Sequence, residues 1–166
     1  MLVHHNPYFS IDYSDDYYSI NFTAEQVVVL PLINDNHILF IKSIRPVFTD
    51  TVLELPAGSV DKGEFLKKAA MRELSEETGI SFNDESRIHK LKPLNTIPSR
   101  TSQMLNIYHA NISIEEFEAR KSHDDEVAGT LLLSYRQVLE KIYSGEIFVA
   151  TAVAVCLRHI IPSLSK

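Results

Sequence analysis

Polar and apolar positions alternate with period two over the first part of the chain, the pattern of strands. Tyr8 to Tyr13 and Tyr17 to Phe22 alternate around Ser14-Asp15-Asp16, which predicts a small hairpin. Gln26 to Ile33 is rich in Val and Leu and predicts a strand. Asn34-Asp35-Asn36 marks a turn, and His37 to Ile44 reads as a second strand. Thr51 to Leu55 is a further short strand, broken by Pro56-Ala57-Gly58. The period then changes. Glu64 to Thr78 reads as a helix with Gly79 at its C-cap. Ile88 to Leu94 and Met104 to Ile112 return to strand patterning, joined by 95–103, and Glu115 to Asp125 is polar, loop or partly helical. Gly129 to Leu133 predicts a strand. Ser134-Tyr135-Arg136-Gln137 has the form of a capping box opening a helix to about Tyr143. Gly145 separates it from a last helix over Phe148 to Ile161. Strands, helix, strands and then helices describe an α+β chain, not a strict βαβ series.

The chain of 166 residues suits one domain, residues 1–166, with 1–23 as a short N-terminal hairpin extension. Apolar residues make up 45% and charged residues 23%, so a folded core is expected. The longest apolar stretch, Ile147 to Leu157, is too short to span a bilayer, so no membrane partner is expected. No basic region precedes an apolar run at Met1 to Ser10, and Cys156 is the only cysteine, which rules out an intrachain disulfide. Together these features point to the cytoplasm. The net charge of −6 comes without a basic run, so nucleic acid is not an expected partner. An acidic protein acting on phosphate esters would need divalent cations to offset like charges.

The predicted helix over Glu64 to Thr78 carries that chemistry. At about 100° per residue, Leu66, Ala69 and Ala70 form one apolar face. The same face continues through Glu73, Glu76 and Glu77, where an amphipathic helix would keep its carboxylates on the far side. Three neighbouring carboxylates repel one another and tend to bind protons near a core, and a bound cation removes both costs. Oxygen-only donors suit Mg²⁺ or Mn²⁺, and no His or Cys in the cluster points to zinc. Read from the helix alone, a solvated acidic helix end is an equal alternative.

The flanking residues decide between these readings. Gly58 is followed six positions later by Glu64, and Arg72-Glu73-Leu74-Ser75-Glu76-Glu77-Thr78-Gly79-Ile80 closes the segment. This resembles the Nudix box at every defined position: G, five residues, E, seven residues, R-E-U-x-E-E-x-G-U, with U aliphatic. A chance match is on the order of 10⁻⁹ per starting position. The resemblance implies an α/β/α sandwich around a mixed β-sheet. It implies Glu73 and Glu77 as metal ligands, Glu76 as a ligand or a water-orienting catalytic residue, and the Ala57 carbonyl as a further ligand. It implies structural roles for Gly58, Glu64, Arg72 and Gly79. Lys42-Ser43-Ile44-Arg45-Pro46 and Leu53-Glu54-Leu55-Pro56-Ala57-Gly58 are similar to the ADP-ribose pyrophosphatase branch, as is Pro98 after the box. Ser99 to Gln103 departs from it, lacking the glycines and the acid usual there. The N-terminal sheet, which in that branch often builds a homodimer, is short here.

Three further residues are drawn in. Glu126, directly before Val127, corresponds to the loop acid that serves as general base in that branch, although Asp124-Asp125-Glu126 also reads as a solvated loop. Arg45, at a strand end, could hold a diphosphate through its fork of donors or lie on the surface, and Arg100 has the same two readings. The histidines show no ligand spacing. The expected activity is metal-dependent hydrolysis of a small-molecule nucleoside diphosphate derivative, first ADP-ribose or another nucleotide sugar. The alternatives are another Nudix substrate (a dinucleoside polyphosphate, a nucleoside triphosphate or capped RNA) or a nucleotide-binding module without catalysis.

Overall fold

Short polar turns and Val-rich strands organise the chain into two sheets. The computed structural model describes residues 1–164. The first sheet is antiparallel, in the order β1 (Leu2–His5), β2 (Phe9–Ser14), β3 (Tyr17–Phe22). Its β2–β3 turn is built on Asp15 and Asp16, both at positive φ (50° and 59°), which suits the twist of a two-residue hairpin. The hairpin expected from the sequence is therefore present, with β1 as an added edge.

The second sheet has seven strands. Its main path runs β10 (Val127–Ser134), β5 (His37–Ser43), β4 (Gln26–Ile33), β9 (Asn106–Ile112), β8 (Ile88–Lys90). Only β4 and β9 are parallel; the other pairs are antiparallel, so the sheet is mixed. Two short strands attach to this path: β6 (Val52–Glu54) to β5 and β7 (Ala57–Ser59) to β4. The turn residues Pro56-Ala57-Gly58 thus do more than break a strand, because Ala57 and Gly58 belong to β7. β4 changes partners along its length. Residues 26–28 pair with β7 and residues 32–33 with β5, while β9 lies along the other side. Pro31, with no N–H to give, falls in the interval between the two partners. That split seats the Pro56–Gly58 segment against β4.

Helices cover both faces. On one side α1 (Leu66–Thr78) places Ala69, Ala70 and Leu74 against Val27, Val29 and Leu39. On the other, α3 (Tyr135–Tyr143) and α4 (Ala150–Leu164) place Val138, Ala152, Val155 and Ile160 against Val28, Leu30 and Phe40. Alternate residues of β4 therefore serve two cores, which explains why that strand reads as a continuous apolar run. A short α2 (Ile114–Glu118) and α3 both start in capping boxes, from Ser113 and Ser134. The result is an α+β sandwich of helices on a mixed sheet. α1 begins two residues later than its periodicity suggests, because the Glu64 carboxylate accepts from Asp61 N–H and from Arg72 instead of opening the helix. α4 starts at Ala150 and runs to Leu164 with Pro162 in its last turn, where the helix lacks one N–H donor.

Candidate active site

The apolar stripe of α1 turns acidic without leaving the interior. Glu73 and Glu77 keep only 8% and 7% of their exposure, one and two turns beyond the buried Ala69 and Ala70. Glu76 lies at the rim, its side chain half-exposed. The structure therefore divides the three acids of the box into two buried and one wet.

Arg72 ties this helix to the loop before it. It donates to both carboxylate oxygens of Glu64 (3.1 and 3.0 Å), to Ser59 O (2.8 Å), to Glu73 Oε1 (2.8 Å) and to Glu76 Oε2 (3.0 Å). Its guanidinium is held above its ordinary range, foremost by the Glu64 bond, and Arg72 in turn holds Glu64 below the usual carboxylate range. Gly58 completes the joint. A Cβ at this position would lie 2.1 Å from Glu73 Oε1, so glycine lets the loop pass over that carboxylate without displacing it. Gly79 closes the helix at φ 73°, a left-handed cap, and a Cβ there would strike Lys121 O at 2.0 Å.

Glu77 faces β7. Its Oε2 accepts the Ala57 N–H at 2.8 Å, so the Ala57 amide, not its carbonyl, touches the acid. Burial pushes this carboxyl up to about 8; the Ala57 bond opposes the shift, and the charges of Glu73 and Asp124 add to it. Glu73 is raised in the same direction by burial, against the pull of Arg72.

The loop after α2 is strapped to the end of α1. Lys121 N–H donates to Gly79 O (3.0 Å) and Asp124 N–H to Glu76 O (2.9 Å). Glu126 follows, exposed, with its carbonyl accepting Ile44 N–H at 2.9 Å. The acidic loop and the box acids are thus neighbours. Arg45 sits at the same corner and donates through Nε and Nη2 to Glu54 Oε2, at 3.0 and 2.5 Å. It is held above its ordinary range by that bond first, then by the fields of Glu54, Glu77 and Glu126. The Glu54 partnership was not legible in the sequence. Arg45 lies beyond the end of β5 and Glu54 on β6, and their contact is not a register pair. A cleft of about 180 Å³ opens beside them, lined by Arg45, Glu54, Ala57, Gln26, Leu105 and Thr151 among others.

Arg100 is not brought to this cluster. It lies 5.0 Å over the Tyr17 ring, with Nη1 3.4 Å from Tyr18 O, so it packs on the N-terminal sheet. Tyr17 O–H also donates to Ser99 O, and Arg100 O accepts Ile20 N–H.

Whether these residues fit a divalent cation can be judged from the donor set. Glu73, Glu76 and Glu77 offer only oxygens, the donors of hard cations. Glu77 is buried with a single neutral donor against it, so its ionised form calls for a cation. Among the described residues no three acidic, His or Cys side chains converge on one point, since Arg72 draws Glu73 and Glu76 to itself while Glu77 turns to Ala57. The residue types fit the ion, with Arg72 the cation that Glu73 and Glu76 face in this arrangement. No helix among the described residues is long and apolar enough to cross a membrane.

Comparison with known proteins agrees with this geometry. An ADP-ribose pyrophosphatase of Bacillus subtilis (strain 168) is 30% identical over 131 residues, covering 78% of this chain and 69% of that protein. A methanol dehydrogenase activator of Bacillus methanolicus is 28% identical over 122 residues, covering 74% of this chain and 64% of that protein. A crystal structure of an ADP compounds hydrolase superposes with a TM-score of 0.72 at 21% identity, over 99% of this chain and 91% of that one, a likeness of fold. The NUDIX domain family model matches residues 23–148, a span that holds β4 through α3 and the whole acid cluster. The chain therefore belongs to the Nudix family, among relatives that include an ADP-ribose pyrophosphatase.

Proposed function

We propose that this Nudix pyrophosphohydrolase cleaves the diphosphate of a nucleoside diphosphate sugar, with ADP-ribose the first choice, releasing a nucleoside monophosphate and a sugar phosphate. One observation carries the reading. Ala57 lines the cleft that holds Arg45 and Glu54, and its N–H meets buried Glu77, so cleft and acid cluster share one wall. The relative named for ADP-ribose supports the substrate class. The intact set of box acids favours catalysis over simple nucleotide binding.

Nudix hydrolases generally use a divalent metal; here Mg²⁺ or Mn²⁺ would be held by Glu73, Glu77 and the Ala57 carbonyl, with Glu76 at the rim. Such an ion supplies charge neutralisation at the phosphate oxygens and a more acidic water. The remaining work falls to this chain's own groups. Arg45 binds and orients the diphosphate, with Glu54 fixing the plane of its guanidinium. Glu126, exposed at the mouth of the site, takes the proton of the attacking water as that water's oxygen bonds to phosphorus. The phosphorus–oxygen bond to the other half of the substrate then breaks. Arg100 lies in a separate polar cleft with Ser19, Asn21 and Thr101 and takes no part in this step. The test is kcat/KM across ADP-ribose, other nucleotide sugars, dinucleoside polyphosphates and nucleoside triphosphates with Mg²⁺. ADP-ribose is expected to lead. A deficit beyond about 10²-fold against a triphosphate, about 2.7 kcal/mol in transition-state binding, would refute the substrate assignment.

We also infer a homodimer through residues 1–23, which lie almost wholly before the matched domain. Leu2, Val3, Tyr8, Tyr17, Tyr18 and Phe22 are all at least 42% exposed there, more apolar surface than a two-face-wetted sheet ordinarily leaves to water. Light scattering on the full chain should give twice the monomer mass of 18.9 kDa, and a chain lacking residues 1–23 should give the monomer mass. A monomer for the full chain would end this reading.

A further inference from the structure

We propose that the cavity between α4 and the β8–β9 edge is a second binding site, one for a small phosphomonoester carrying an apolar body. The cavity measures about 210 Å³ and is lined by Leu91, Lys92, Ile107, Val155, Arg158 and His159. It shares no lining residue with the acid cluster or with the Arg45 cleft. Its walls divide by chemistry. Leu91, Ile107 and Val155 pack with the α3–α4 core and form an apolar floor. Lys92, Arg158 and His159 bring the polar groups, two cations and an imidazole, and no carboxylate lines the cavity. In a chain of net charge −6 this is a local reversal of sign.

The donors are available. Arg158 gives one N–H to Lys92 O at 3.3 Å, a bond that ties α4 to the segment after β8; its other N–H groups have no partner among the described residues. The Lys92 ammonium likewise has none there. His159 is oriented from behind. Its Nε2 lies 2.7 Å from the Tyr135 hydroxyl, which in turn lies 2.8 Å from Asp35 O, so this ring nitrogen is already engaged. The other ring nitrogen, Nδ1, has no hydrogen-bond partner among the described residues.

This donor set selects the ligand class. A phosphomonoester has a second ionisation near pH 6, so as the monoanion it can share its proton with Nδ1 and as the dianion it matches two cations. A monocarboxylate matches one cation. The guanidinium fork and the ammonium suit tetrahedral phosphate oxygens. No acid in the lining would hold a metal, so the site differs in kind from the catalytic one.

Isothermal titration of the full chain with phenyl phosphate, inorganic phosphate and benzoate tests the assignment. Phenyl phosphate should bind equally in Mg²⁺ and in EDTA, and more tightly than either fragment. Arg158→Gln and Lys92→Gln should each weaken it by about tenfold while leaving the circular dichroism unchanged. Three results would overturn the proposal: no binding at millimolar phenyl phosphate, binding that needs Mg²⁺, or an affinity unchanged in both variants.

Discussion

Glu77→Gln should stabilise the metal-free protein, and by an amount that grows with pH. In the fold this carboxyl is 7% exposed, and its titration is pushed from the ordinary 4.5 to about 8, chiefly by loss of hydration. The unfolded chain releases the same proton near its ordinary value. Between about 4.5 and about 8 the native state therefore holds a proton that the unfolded state has lost. Stability is full below that window, falls as pH rises through it and levels off above it. At about 1.4 kcal/mol per pH unit, the loss reaches roughly 3 kcal/mol near pH 7. Gln does not titrate, and its amide oxygen can still accept the Ala57 N–H that now bonds Oε2. Urea unfolding in EDTA, from about pH 5 to about pH 8, should give curves that nearly coincide at the acid end and separate toward neutrality, with equal m-values. Saturating Mg²⁺ should reverse the order, because only the wild type gains the ligand charge, and turnover of the variant should fall at least about 10²-fold. A stability difference that does not change with pH would refute the burial argument. Near wild-type turnover of the variant at saturating Mg²⁺ would refute the metal assignment.

Glu126→Gln should lower kcat with Mg²⁺ affinity nearly unchanged and should shift or remove the acidic limb of the pH–rate profile; the same effect from Asp125→Asn, with none from Glu126→Gln, would move the role of base to Asp125. Gly58→Ala should reduce Mg²⁺ affinity and turnover together, because its Cβ would fall 2.1 Å from Glu73 Oε1 and force that carboxylate aside. Isothermal titration with Mn²⁺ reads the first effect, and a wild-type isotherm would show that the joint can open without cost.

Much of this protein could be read directly from residue order, because its information is local. Strand alternation, the Asn34-Asp35 turn, the Ser134 to Gln137 capping box and the Gly79 cap each depend on neighbours within a few positions. The acid spacing of Glu73, Glu76 and Glu77 is likewise a property of one helix. What needed the tertiary structure involves partners far apart in sequence. β7 pairs with β4 only because β4 changes partner around Pro31, a vacancy invisible in the run Gln26 to Ile33. Glu76 falls at the rim while Glu73 and Glu77 are buried, although all three lie on one predicted face, because the sheet and the Gly58 loop cover only part of it. The Arg45–Glu54 pair, the placing of Arg100 on the N-terminal sheet and the cationic cavity beside α4 bring together side chains from separate elements. Helix and strand periods fix which way a side chain faces, but only packing determines what it meets there.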